Sequence, residues 1–389
     1  MGEKVMSEKV MDEKVMSYSR LTYLDFLRGI AVLGLLTMNV AYMGLLEINA
    51  IIPSQMFWDK VVVTTQILFL DGRFRSLFCL LFGIGMFLQF TRFESQNLQT
   101  VKILKSRLHW LFIFGLCHCI FIWYGDILIV YALSGLVVMT QLGDSASKLF
   151  KRGCIYFSIG IAIQVLIYVF SLPVEQTLQL DGVSSPLMSI KALYLQNLLY
   201  SVMYIMTFPI LTMFEICGLM YLGISLFRLG FLKNGFSIYQ LWTLGTITLV
   251  SIFIELTWLQ SSVVTLDASP SGLMSITGLT MALLFWHWVL KSKCYESHLL
   301  IVSAIKSVGR RAFSFYILQS LIITTLLRYI LPIWEFELTL IDYFIIAISF
   351  IPVQLFIAFY LEKVNKTGPL EYLWRQLVVK PNVNVKVNV

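Results

Sequence analysis

Ten apolar runs divide this chain, and they leave little room for any fold that is not a helical bundle in a lipid bilayer. They cover residues 24–46, 76–91, 108–123, 127–142, 153–172, 200–227, 238–260, 272–290, 312–331 and 340–361. About twenty apolar residues cross a bilayer as an α-helix. In lipid every backbone polar group must be satisfied within the spanning structure, which a helix does. The chain is 58% hydrophobic and 13% charged, against about 25% charged in soluble domains. The expected fold is therefore all-α: a polytopic transmembrane helix bundle of about ten spans.

Charge sets the sidedness. The net charge is +7, which in a soluble protein would suggest a nucleic-acid partner. Here the cations cluster between apolar runs, so topology accounts for them and no nucleic acid is expected. Only five of the 29 basic residues, Lys60, Arg73, Arg75, Lys191 and Arg328, fall on one side; the other 24 fall on the opposite side. The positive-inside rule assigns the rich side to the cytoplasm, with both termini there. The stretch 57–72 is then an interfacial or re-entrant element on the far face. Residues 20–378 form the transmembrane domain. The tail 1–19 repeats EKVM at Glu3, Glu8 and Glu13 and reads as disordered, as does 379–389. No secretory signal peptide is expected, because the first apolar run is long enough to span and lacks a small-residue cleavage site. Cys79, Cys117, Cys119, Cys154, Cys217 and Cys294 form no CxxC pair and read as small apolar side chains, with no metal site expected.

Polar residues inside apolar runs are expensive and mark candidate sites. In HCIFIWYGDIL, His118 and Asp126 flank a short turn opened by Gly125, so two antiparallel spans can bring them together. Histidine titrates near neutral pH and suits general-base work; a carboxylate beside it is a recurrent orienting arrangement. The plain alternative is a histidine bonded to a neighbouring helix. In LDFLRG, Asp25 and Arg28 are three apart and share a helix face, with Asn39 near the same face. They either anchor the helix end or line a cavity. In DGRFRS, Arg73 and Arg75 either clamp a phosphate or carboxylate or meet lipid headgroups. Glu215 follows Pro209 in mid-span and either serves proton-coupled transport or pairs with an arginine; Glu255 is a second intramembrane acid. No Gly-rich nucleotide loop, GxSxG elbow, HExxH or Walker motif occurs.

The segments LDFLRGIAVLGLLTMNV, RFRSLFCLLFGIGMFL and GLCHCIFIWYGDILIVYAL, then MYLGISLFRLGFL, VGRRAFSFYILQSLI and TGPLEYLWRQL, resemble in order the blocks of the YeiB-like family, domain of unknown function 418. The resemblance covers about residues 20–378. It implies a multi-pass protein of the bacterial inner membrane, a family loosely associated with transport. The LDxLRG opening is also similar to that of the membrane acetyltransferases, including heparan-alpha-glucosaminide N-acetyltransferase. That likeness implies acyl transfer from cytoplasmic acyl-CoA, as co-substrate, to an acceptor across the membrane, with an intramembrane histidine at its centre. In that reading His118 and Asp126 are catalytic, Arg28 holds acyl-CoA, and Asp25, Arg28, Asn39, Arg73 and Arg75 bind substrate. Membrane lipids are partners and a lipid-linked or glycan molecule is the acceptor. The first span here lacks the histidine that some bacterial sugar O-acyltransferases of similar opening carry. The alternative is a transporter of a small solute, with Glu215 and Asp126 as the proton path.

Overall fold

A computed structural model describes residues 21–44, 57–96, 98–175, 190–261, 271–331, 338–364 and 366–378. Among these the architecture is all-α, with no strand. The helices are α1 (Thr22–Gly44), α2 (Phe57–Thr65), α3 (Arg73–Ser95), α4 (Thr100–Phe121), α5 (Leu128–Met139), α6 (Ala146–Glu175) and α7 (Ile190–Arg228). There follow α8 (Phe231–Asn234), α9 (Ile238–Ser261), α10 (Ser271–Ser292), α11 (Leu300–Arg310), α12 (Ala312–Thr325), α13 (Leu340–Lys363) and α14 (Pro369–Leu377). Both sequence tails expected to be disordered, 1–19 and 379–389, lie outside the described residues.

Among the described residues, nine helical stretches are long and apolar enough to cross a membrane. The expected fourth span is the exception. Its helix has only 12 residues, about 18 Å at 1.5 Å per residue, well short of a hydrocarbon core of about 30 Å. It begins late because Trp123–Asp126 are not helical and ends early in a turn at Thr140. The expected sixth span is instead longer than anticipated. α7 starts at Ile190 and runs for 39 residues through Pro209, about 58 Å. The stretch 57–72 is a nine-residue helix, a π-helical turn over Gln66–Leu70 and a break at Gly72. α2 alone is too short to span. Asp59 in it is buried and accepts a hydrogen bond from the Ile341 N–H at 3.0 Å, tying it to the start of α13.

The bundle is apolar outside and carries its polar side chains within. Trp242, Leu249 and Phe253 on α9 and Phe356 on α13 are exposed, while Asp126, Glu215, Glu255 and Gln354 are buried. That is the inverse of a soluble domain and fits lipid as the outer solvent. Small residues let backbones approach where side chains would keep them apart. α1 and α11 cross so closely at Gly29 and Gly309 that a Cβ on the first would strike the Ile305 carbonyl, and one on the second the Asp25 carbonyl.

At this crossing the obstacle is backbone, which cannot rotate away. Gly309→Ala is therefore expected to destabilise the bundle by about 1–3 kcal/mol, as overpacking does. A lowered apparent melting temperature of the purified protein in detergent checks this.

Candidate functional site

α4 ends at Phe121, and the chain turns through Ile122–Ile127 before α5 begins. The turn is held from several sides. On α7, Asn197 Nδ2 donates to the carbonyls of Cys119 and Ile120, at 3.3 and 3.0 Å, and Ser201 Oγ donates to that of Cys119 at 2.7 Å. Tyr204, one turn further on, donates its hydroxyl to the Asp126 carbonyl at 2.6 Å. From the turn itself, Trp123 Nε1 donates to the Tyr42 carbonyl of α1 at 3.1 Å. These bonds cap the C-terminal carbonyls of α4, which would otherwise be buried without partners.

The result places His118 Nδ1 2.7 Å from Asp126 Oδ2. The other carboxylate oxygen, Oδ1, accepts the Ile129 N–H at 2.8 Å and so caps α5. The approach needs Gly115, because a Cβ there would lie 2.8 Å from Asp126 Oδ1. With both oxygens accepting, Nδ1 carries a ring proton, and in the neutral imidazole Nε2 then presents a lone pair. His118 is 2% exposed and Asp126 0%. Among the described residues Nε2 has no hydrogen-bond partner. A buried nitrogen left without a partner is costly, and such exceptions call for an explanation.

The imidazole packs against Tyr316 of α12, with ring centroids 5.2 Å apart, and against the edge of Trp123 at 6.4 Å. Tyr316 is also part of the floor of a cavity of about 260 Å³. Ile127 and Tyr131 share that floor; Leu81, Phe82, Leu108 and Phe313 wall the throat. Around the mouth stand four arginines, Arg28, Arg107, Arg310 and Arg375. The short amphipathic α14 closes one side of it. There Trp374 lies under the Arg107 guanidinium, 4.4 Å from ring centroid to Cζ, and its Nε1 donates to the Arg107 carbonyl at 3.0 Å. Glu371 accepts the Ser314 N–H at 3.0 Å and also the Ser314 hydroxyl. A cavity that is cationic at its rim and apolar within suits a ligand with an anionic head and an apolar tail.

The remaining residues singled out from the sequence are distributed unevenly. Asp25 and Arg28 form the expected pair, at 3.3 Å, and Arg28 reaches the cavity. Asn39 is half-buried on α1 and is not among the residues lining the cavity. Arg73 and Arg75 are engaged elsewhere. Arg73 pairs with Glu255 at 3.1 Å, and Thr277 donates to the same carboxylate at 2.6 Å. Arg75 pairs with Glu215 at 3.0 Å, and Gln164 Nε2 donates to Glu215 at 2.6 Å. Glu215 thus has the arginine partner that was one of its two expected readings.

Sequence reasoning missed Tyr316, Arg107, Arg310, Glu371, Trp374 and Arg375 as parts of one site. Arg107, Arg310 and Arg375 were counted only toward topology. The available signal was TGPLEYLWRQL, which puts Glu371, Trp374 and Arg375 at helical spacing on one face.

Asp126→Ala would strip partners from both His118 Nδ1 and the Ile129 N–H. A loss of about 2 kcal/mol or more is expected, since each buried group left unsatisfied costs about 1–3 kcal/mol. Asp126→Asn, which keeps an oxygen to accept from one of the two, should lose less. Unfolding of the two variants side by side in detergent checks the order.

Comparison with known proteins agrees with this architecture. Residues 226–381 match the family model described as protein of unknown function (DUF418), a region that includes Arg310, Tyr316 and all of α14. The chain is 28% identical over 402 aligned positions to the uncharacterized protein YeiB of Escherichia coli (strain K12), covering 92% of this chain and 96% of that one. It is 34% identical to the uncharacterized protein YxaH of Bacillus subtilis (strain 168), over 31% of this chain and 32% of that one. An uncharacterized 39.9 kDa protein in the amylase 3' region of Bacillus acidopullulyticus is 32% identical, over 35% of this chain and 38% of its own length. The C-terminal part of the chain thus matches the DUF418 family model, and the chain is similar to YeiB over nearly its whole length.

Proposed function

We propose that this protein is a multi-pass enzyme of the bacterial inner membrane that transfers an acyl group from cytoplasmic acyl-CoA to an acceptor reached across the membrane. The observation that carries this reading is the cavity. Four arginines ring its mouth, its throat is apolar, and its floor rests on Tyr316, which packs on His118. The arginines would hold the phosphates of the donor, and the throat would take its less polar arm. Asp126 fixes the His118 tautomer. Nε2 then accepts the proton of an acceptor hydroxyl or amine as that oxygen or nitrogen bonds to the acyl carbon. The carbon–sulfur bond breaks, and the proton passes to the departing thiolate. A lipid-linked or glycan acceptor would come from the end of the bundle opposite the arginines.

Proton-coupled solute transport has less to support it. Glu215 is held by Arg75 and Gln164, and both oxygens of Asp126 are taken. Neither carboxylate is presented to the cavity.

His118→Ala is expected to lower transfer of labelled acetyl from acetyl-CoA to membrane glycans or lipids by about 10²–10⁴, the usual contribution of a general base. The variant should still be produced but melt lower, because Asp126 Oδ2 loses its buried partner, so activity is compared at equal amounts of folded protein. Full activity in that variant would overturn the reading. Arg375→Glu at the exposed rim should weaken acyl-CoA binding by roughly tenfold, about 1.4 kcal/mol. The defect should shrink at high ionic strength, because exposed charges are screened. Titration of the purified protein with CoA at two salt concentrations checks it.

A further inference from the structure

His118 and the cavity are adjacent but not continuous. The ring is buried, its Nε2 lacks a partner among the described residues, and it is not itself part of the cavity lining. Tyr316 is what lies on both sides. Its side chain lines the cavity floor, and its ring sits at 44° to the imidazole with centroids 5.2 Å apart. Among the described residues its hydroxyl has one hydrogen bond, from the Ile127 N–H at the long distance of 3.4 Å, weak by geometry. The residue is 5% exposed. A nitrogen that exchanges protons with a ligand must meet it within hydrogen-bond reach.

We propose that Tyr316 is a positioning residue of this site: its phenol is the partition between the cavity and His118, and its displacement opens the imidazole to whatever the cavity holds. The role rests on the reading of His118 as a base. The partition itself does not, and it can be measured without any acyl donor. The weak tether favours such a movement. A tyrosine fixed by a short hydrogen bond to a carboxylate would have to break a strong interaction first; this one has, beside its packing contacts, a long hydrogen bond from the Ile127 N–H to release.

Diethyl pyrocarbonate, which modifies the unprotonated nitrogen of imidazoles, reports the access directly. The intact detergent-purified protein is treated with it, and His118 is compared by mass spectrometry with His298, which is exposed. In the unaltered protein His118 should react about tenfold or more slowly than His298, as a group reached only by local opening does. Tyr316→Ala should raise the His118 rate by about tenfold, whereas Tyr316→Phe, which keeps the ring, should leave it low. Tyr316→Leu, which fills more of the space, serves if the alanine variant does not fold and should fall between the two. The proposal is overturned if His118 already reacts as fast as His298. It is also overturned if folded alanine or leucine variants leave the rate unchanged, or if the phenylalanine variant opens the site as fully as alanine. A slow His118 that Tyr316→Ala releases, in a protein that transfers no acyl group, would leave the partition standing and remove the enzymatic reading.

Discussion

The scarcity of water inside the bundle governs where every charge in this protein can sit. In a soluble domain an ionised side chain that fails to find a partner turns outward. Here the outer face is apolar, and turning outward meets lipid, where charge is costly. The buried charges are therefore tied up internally, and several of the ties join distant parts of the chain. Arg73 meets Glu255 and Arg75 meets Glu215, which couples α3 to α9 and α7. Arg311, between α11 and α12, donates to Ser307, Glu362 and the carbonyls of Leu361 and Lys366. Such pairs are weak evidence for stability, since desolvation offsets much of the attraction. Their effect is on register: removing one partner leaves a bare charge in a dry interior, so alternative packings of the helices are disfavoured.

The same constraint makes His118 stand out. Arg328 is buried without a carboxylate among the described residues, yet its guanidinium is occupied. It donates to the Met43 carbonyl at 2.6 Å and to Asn197 Oδ1 at 3.2 Å, from within a π-helical turn over Leu326–Ile330. The Met43 carbonyl, like that of Tyr42, which Arg328 also reaches at 3.5 Å, lies at the C-terminal end of α1, where the helix dipole favours a cation. Asn197 in turn holds the end of α4. A chain of hydrogen bonds thus runs from α12 through α7 to the turn that carries Asp126. The polar groups around this turn are largely accounted for, and the imidazole is fixed through Nδ1 with Nε2 left over. Fixing one ring nitrogen while leaving the other open is what a positioned base requires.

The legible part of this architecture is the part written in local composition. Apolar run length located nine of the ten expected spans, because a helix in lipid is set by its own residues. It failed at α5, where Asp126 caps the helix late and Thr140 ends it early, both local events within an apolar run. The juxtaposition of His118 and Asp126 was legible because only eight residues and one turn separate them. Arg75 with Glu215 and Arg73 with Glu255 were not, since their partners lie 140 and 182 residues away and nothing in local spacing selects one acid over another. The cavity was hidden for a related reason. Its arginines come from α1, α4, α11 and α14, and each one alone reads as an ordinary charge at the end of an apolar helix.

The two groups of arginines also differ in what they are available to do. Arg73 is buried and Arg75 half-buried, each beside an acid that lies wholly inside the bundle, so their charge is spent on helix register. At the mouth, Arg310 shares Glu362 with Arg311, Arg28 has the partly buried Asp25, and Arg107 rests on the face of Trp374. An aromatic face orients a guanidinium without neutralising it, so Arg107 keeps its full charge at the rim. Positive potential therefore concentrates where α14 meets α4, over an apolar throat that leads toward His118. A rim built in this way attracts an anion to the mouth and offers its charge little reward for entering the throat. Under the proposed reading, that polarity would orient a ligand head-outward and direct its uncharged arm toward Tyr131 and Tyr316, which line the cavity.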